Sequence, residues 1–381
     1  MKAPKDLCSD NKTKKFQNSQ LKNYNMKYTT TLIVVTLFFA VSVVLALHIA
    51  APKKENHKHA GFDRVFAAND ILRPLDTLDL RYHSYYIAGV DNSHLYLGNS
   101  QVPSHIVEAK LNNLKDTIHH NISVGNLKYR SIQVKVVAPY FYLTDGVIPF
   151  IYRGNITDWT AAPYKNNAYF MNAVPMDNGM LALIGLDNDM GKVFFKVTKG
   201  NPKLEVFPGL LEAQGGEVIF STEGKLHYDK KTKQLTYVYL YRNQFLLMDD
   251  GFNLLYKGNT IDTISRVKIK VGEISSESTF TMAKPPISVN KRSTVSGNYL
   301  YVNSNILAGN EDPDTFENAS IIDVYHLEKG EYEFSFYIPT YKEETLKEFM
   351  VIDNDTVIVK YRQYIVTYTL NTTYSNRSLT I

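Results

Sequence analysis

Ser296-Gly297-Asn298-Tyr299-Leu300-Tyr301-Val302 is a tight turn that runs straight into a short strand with apolar side chains at alternate positions. Gly and Asn belong in the turn because they tolerate the left-handed backbone that the centre of a hairpin demands. Five more copies of the unit follow the same plan: His94-Leu95-Tyr96-Leu97, Tyr140-Phe141-Tyr142-Leu143, Met180-Leu181-Ala182-Leu183, Lys225-Leu226-His227-Tyr228 and Thr356-Val357-Ile358-Val359. Most have a turn in front: Asp91-Asn92, Asp177-Asn178-Gly179, Glu223-Gly224 and Asp353-Asn354. Such repetition marks an array of small sheets, not one ordinary core.

Spacing identifies the array. Leu95, Phe141, Leu181, Leu226, Leu300 and Val357 stand 46, 40, 45, 74 and 57 residues apart. About forty to fifty residues accommodate four short antiparallel strands, the size of one propeller blade. The two longer intervals read as insertions, one at 305–319 and one at 257–286. Further strands follow at meander distance: 105–111, 192–198, 235–241, 244–249, 321–327, 332–338 and 363–370. They are rich in β-branched and aromatic residues, as Thr236-Tyr237-Val238-Tyr239-Leu240-Tyr241 illustrates, which suit a half-buried pleated surface. The expected fold is all-β, a six-bladed β-propeller preceded by a single N-terminal transmembrane helix.

A ring of blades must close, because open sheet edges expose rows of unpaired backbone groups. Blade six uses up the chain by about Leu370. Leu75-Asp76-Thr77-Leu78-Asp79-Leu80 alternates apolar and polar residues as an outer strand does, so this N-terminal segment is expected to pair into the last blade. The tail 378–381 is the rival for that place.

Residues 28–51 contain no Asp, Glu, Lys or Arg. Twenty-odd helical residues at about 1.5 Å each cross a hydrocarbon core of about 30 Å. Residues 1–27 hold seven Lys and two Asp, a charge of +5 that leaves −1 for the rest of a chain whose total is +4. Lys excess marks the cytoplasmic flank, although Lys53, Lys54 and Lys58 lie on the other side. The expected layout is a cytoplasmic tail (1–27), a transmembrane helix (28–51), a linker (52–73) and the propeller (74–381). This places the chain in the inner, cytoplasmic membrane as a single-pass protein with its propeller in the periplasm or outside. Cleavage after Ala50-Ala51 is the alternative to a retained anchor, and Met26 is an alternative start. The only cysteine, Cys8, precedes the apolar span, so the outer domain has no disulfide. Its near-neutral charge gives no reason to expect nucleic acid.

Candidate chemistry is sparse. Gly-x-Ser-x-Gly, His-Glu-x-x-His, Gly-rich phosphate loops and Cys pairs are absent. His57, His59, His119 and His120 read as exposed polar residues, and on a strand His119 and His120 point to opposite faces. Glu311, Asp312 and Asp314, with Glu317, form the one notable acidic cluster. It does not match the twelve-residue Ca²⁺ loop and reads as a solvated loop, or as a ligand lid if it overhangs the ring axis. Arg266, Lys268 and Lys270 alternate along one face, as on a charge-protected edge strand. Trp159, the sole Trp, is expected to be buried between blades, in a loop between the second and third.

Asn298-Tyr299-Leu300-Tyr301-Val302-Asn303-Ser304-Asn305, Phe316, Ser320-Ile321-Ile322-Asp323-Val324-Tyr325 and Tyr332-Glu333-Phe334-Ser335-Phe336-Tyr337-Ile338-Pro339 together resemble bacterial envelope six-bladed propellers of the broad TolB-like and NHL-like type. The resemblance implies a fold and an envelope setting. Such proteins include ligand-binding and scaffolding modules and a few metal-dependent hydrolases. The enzymes keep Asp, Asn and Glu ligands for Ca²⁺ in the central tunnel, a set that has no residue-by-residue match here.

Two functions follow from different classes. The first is a non-catalytic binding or scaffolding module for an envelope protein, peptide or glycan, with no cofactor, a reading that an axial tunnel lined with apolar and uncharged side chains would favour. The second is a Ca²⁺-dependent hydrolase or lactonase, in which Asp91, Asp177, Asn298 and Asp353 aim oxygens into one central cavity. Those four residues are more simply hairpin formers.

Overall fold

The computed structural model describes residues 28–47 and 61–371, apart from 69, 189–190, 202, 215–217, 268–269, 275–278 and 285. The tail 1–27 with Cys8, the stretch 48–60 with His57 and His59, and the rival closing segment 378–381 lie outside the described residues.

Helix α1 (Tyr28–Leu47) has 20 residues and is long and apolar enough to cross a membrane. Its two interior hydroxyls turn back on the helix, Thr36 Oγ1 to Leu32 O at 2.7 Å and Ser42 Oγ to Phe38 O at 2.8 Å. That removes polar groups a hydrocarbon phase would leave unsatisfied.

The other unit, 57–381, is built from four-stranded antiparallel sheets. Strand β1 (Leu72–Asp79) comes first and is used last. Blade one contains β2 (Tyr85–Val90), β3 (His94–Asn99), β4 (His105–Lys110) and β5 (Asn113–Asn121). Blade two contains β6 (Gln133–Val137), β7 (Tyr140–Asp145), β8 (Phe150–Asn155) and β9 (Ala161–Asn166). Blade three contains β10 (Asn172–Pro175), β11 (Leu181–Leu186), β12 (Lys192–Val197) and β13 (Glu205–Phe207). After the short α2 (Val218–Ser221), blade four contains β14 (Gly224–Asp229), β15 (Gln234–Tyr239), β16 (Gln244–Asp249) and β17 (Leu254–Asn259). Strands β18 (Lys270–Ile274) and β19 (Thr279–Lys284) form a two-stranded sheet of their own among the described residues. Blade five contains β20 (Asn290–Ser296), β21 (Tyr299–Ser304), β22 (Ala319–His326) and β23 (Glu331–Pro339), with α3 (Pro313–Asn318) between β21 and β22. Blade six contains β24 (Glu348–Ile352), β25 (Thr356–Lys360) and β26 (Tyr364–Leu370), and β1 completes it.

The chain is a six-bladed β-propeller. Its core is divided into six apolar clusters, one at each interface between neighbouring blades. Blades four and five, for example, meet through Phe245 and Leu247 on one side and Leu300, Val302 and Tyr325 on the other. Neither face of a blade can bury its apolar residues alone, so stacking supplies the core.

Closure follows the N-terminal route. Strand β1 pairs antiparallel with β26, from Leu72 opposite Leu370 to Asp79 opposite Tyr364. A register shift follows Pro74, a residue that an outer edge strand tolerates because one row of its backbone faces away from the sheet. Asp76 Oδ2 then accepts the N–H of Leu114 from blade one at 2.7 Å. Leu78 packs with Leu95, Leu97 and Ile358, joining blades six and one.

Three expectations need correction. Lys225-Leu226-His227-Tyr228 lies in β14, the first strand of its blade, whereas the other five repeated units lie in second strands. The true second strand begins at Gln234, after a turn through Lys230–Lys233 that carries no Gly or Asn, and Lys233 takes the left-handed backbone there (φ 53°). Glu223-Gly224 imitated the missing signal. Next, Lys270, the last residue of the basic strip, begins β18, which pairs with β19 in a separate hairpin instead of edging a blade, because the inserted chain brings its own partner, while Lys268 lies outside the described residues. Finally, Trp159 is buried, as expected, but in the β8–β9 turn of blade two, where it stacks on Phe141 and His120.

Candidate functional site

All six innermost strands run the same way, so their exit turns lie at one end of the ring. Bonds between those turns hold the end together. The Gly297 N–H donates to Asp229 Oδ2 at 2.8 Å, the Tyr228 hydroxyl to Asp177 Oδ2 at 3.2 Å, and the Asn354 N–H to Ser296 Oγ at 3.2 Å. Inside the ring lies a cavity of about 650 Å³, lined by 87–90 of β2, 135–137 at β6, 172–175 of β10, 225–231 at β14, 293–297 at β20 and 348–353 at β24. Every blade contributes to it. Side chains near the axis are tightly placed, and a Cβ added to Gly89 would lie 2.0 Å from Val136 O.

The lining is charged, so it is neither the apolar and uncharged tunnel that would favour the module nor a convergence of carboxylates on the axis that would favour the enzyme. Lys135 and Lys225 face the cavity, Arg292 lies beside them, and Glu348 is the carboxylate among them. Burial lowers the Lys135 pKa, against the pull of Glu348. Lys225 is lowered first by burial, and Lys135 and Arg292 add repulsion that Glu348 opposes. Lys225 keeps accessible surface because it faces the cavity, yet protein surrounds it closely enough to weaken its hydration. Glu348 Oε2 accepts the Ile87 N–H at 3.0 Å. Among the described residues no carboxylate forms an ion pair with Lys135 or Lys225.

His227 Nε2 lies 2.8 Å from Ser293 Oγ on the cavity wall. The contact has the length of a nucleophile–base pair. Among the described residues, however, no carboxylate bonds Nδ1 to orient the ring. Burial, with Lys225 and Lys135 nearby, holds the His227 pKa well below its ordinary value, which keeps the imidazole neutral and makes it a weak base.

The residues singled out from sequence fall in two places. Asp91, Asp177, Asn298 and Asp353 all sit at the exit end, in the turns after innermost strands. Asp91 accepts the Ser93 and His94 N–H groups and the Tyr96 hydroxyl. Asp177 stands 3.9 Å from Lys230 Nζ, Asp353 pairs with Lys231, and Asn298 accepts the Leu327 N–H at its backbone carbonyl. Of the four, only Asp353 lines the cavity.

Glu311, Asp312 and Asp314 are instead on blade five, around the start of α3. Asp312 caps that helix through the Thr315 N–H at 2.8 Å, and Asp314 lies in its first turn. Glu311 is buried. It pairs with Arg64 Nη1, while Arg64 Nε bonds Asp323 Oδ1 at 2.8 Å. The segment from 61, read from sequence as linker, therefore lies along blade five, and Phe66 bridges to Ser335. Among the described residues no group of three His, Cys, Asp or Glu is placed to hold a metal ion. His119 and His120 do face opposite ways, His119 towards His105 and His120 towards Glu108.

No protein-family model matches the chain, and no curated protein matches its sequence. Solved structures with a similar arrangement include BamB from Moraxella catarrhalis, 9% identical over 78% of this chain and 99% of that one, with a TM-score of 0.42. Streptogramin B lyase is 9% identical over 79% and 97%, with a TM-score of 0.43. A DUF4221 family member from Bacteroides vulgatus is 11% identical over 83% and 98%, also at 0.43. Likeness at this level assigns no activity.

Proposed function

We propose that this chain is a membrane-anchored binding and scaffolding module of the cell envelope, with α1 as its anchor, residues 1–27 in the cytoplasm and the propeller outside it. Its partner is an envelope protein, peptide or glycan, engaged where the six exit turns surround the axis. The axial cavity carries this reading: it is an open socket to which every blade contributes, walled by Lys135 and Lys225, which have no ion-pair partner among the described residues, and by a poorly basic His–Ser pair. The hydrolase alternative needs carboxylates converging on the axis for Ca²⁺, and Lys135 and Lys225 would repel that ion.

Photo-crosslinking in intact cells tests the module. A benzophenone amino acid at Asn298 or Asp353, beside the cavity mouth, is expected to give one discrete crosslinked species. The same probe at Leu75, 60% exposed on the outer strand of blade six, is expected to give none of it. Equal labelling from all three positions, or from none, contradicts the reading.

A further inference from the structure

The cations of blade four differ in one respect. At the exit end Lys230 approaches Asp177 and Lys231 pairs with Asp353, so each has an acidic neighbour in another blade. Deeper in, Lys225 and Lys135 have no such partner among the described residues, and each lowers the pKa of a neighbour. Among the described residues Glu348 is the one carboxylate that acts on these groups, and it is shared among Lys135, Lys225 and Arg292. The inner wall thus sets Lys135 and Lys225, with Arg292 close behind them, against one nearby anion. A buried charge without a partner is costly, and removing a cation from this wall would ease that cost. The chain instead concentrates cations around an open volume of about 650 Å³, within the size range of small-molecule sites. Ser293 and His227 add neutral hydrogen-bonding groups to the same wall.

We propose that the axial cavity is a binding site for a small molecule carrying an oxyanion, a carboxylate or a phosphate, held by Lys135 and Lys225. The anion supplies the charge that the fold omits. Lys135 and Lys225 act as point charges with rotatable donors. Arg292 stands behind them, fixed by its Nε donating to the Lys347 carbonyl and its Nη1 to Asn303 Oδ1, and adds positive charge without lining the cavity. Glu348 sets the limit on charge, because a group that crowds it meets repulsion. The inference deepens the binding-module reading by naming what occupies the socket. It requires no macromolecular partner, so a failed anion titration leaves the crosslinking outcome standing, and the reverse also holds.

Thermal unfolding of the full chain in detergent micelles tests the site, with inorganic phosphate and succinate titrated separately against sodium chloride of equal ionic strength. A ligand that binds only the folded state raises the midpoint with saturation. At least one of the two anions is expected to produce a saturable rise that chloride does not. Phosphate alone would identify a phosphate ester as the ligand class, succinate alone a carboxylic acid, and both together a site that reads charge. Lys135→Met and Lys225→Met are each expected to weaken the apparent affinity tenfold or more, with ligand-free midpoints equal to or above that of the parent. Lys135→Gln and Lys225→Gln serve in place of a methionine variant that fails to fold. The proposal is overturned if neither anion exceeds chloride, or if the response survives undiminished in the lysine variants.

Discussion

Arg64 has a fully buried guanidinium between Glu311 and Asp323, and the Tyr337 hydroxyl donates to Glu311. Burial alone would lower the Arg64 pKa, but the two carboxylates outweigh it and raise the value above the ordinary one. Ser335 Oγ donates to Asp323 as well, so the carboxylates are hydrogen-bonded as well as paired. Removing one partner from such a set strands the others without compensation. Arg64→Met is therefore expected to cost about 3–5 kcal/mol, read as a lower urea midpoint. A midpoint within experimental error of the parent would show that blade five does not depend on this contact. Lys231 and Asp353 offer the opposite case, an ion pair exposed to solvent, where screening leaves little to lose.

At the level of elements, the innermost strands of blades one and two approach so closely that Gly89 has no room for a methyl group beside the Val136 carbonyl. Gly89→Ala must push β2 and β6 apart, at an expected cost of about 1–3 kcal/mol, measured by chemical denaturation; an unchanged midpoint would refute the close packing. Strands were legible in the sequence wherever alternation coincided with Asn, Asp or Gly turns, as at Asp177-Asn178-Gly179 before β11 and Ser296-Gly297-Asn298 before β21. Where the turn was built from lysines, at Lys230–Lys233, the repeat was read one strand early. The outer strand β1 was legible because Leu78 and Leu80 alternate with acids, although its start at Leu72 was hidden by Pro74. The site was far less legible. Lys135, Lys225, Arg292 and Glu348 come from four blades, and each alone looks like an ordinary polar residue on a strand. The acidic run after Asn310 resembled a solvated loop because its cation, Arg64, lies 247 residues away from Glu311.

For the whole molecule, closure decides everything else. Six interfaces exist only if blade six meets blade one, and that contact depends on an N-terminal strand completing a C-terminal sheet. An open ring would separate Leu78 from Leu95 and widen the axis, dispersing the cations that line it. Joining distant parts of the chain in this way costs loop entropy once and gains a fourth strand and a complete core. The direct measurement is a crosslink across that seam. With Cys8 replaced by Ser, Arg73→Cys and Thr369→Cys place thiols on directly opposed residues of β1 and β26, whose Cβ atoms should be about 5 Å apart. A short bifunctional thiol reagent is expected to join them within one chain in high yield and to raise the unfolding temperature, while the out-of-register pair Arg73→Cys with Gln363→Cys reacts poorly. Failure of the 73–369 pair to join, or equal joining by both pairs, would contradict the closed six-bladed ring.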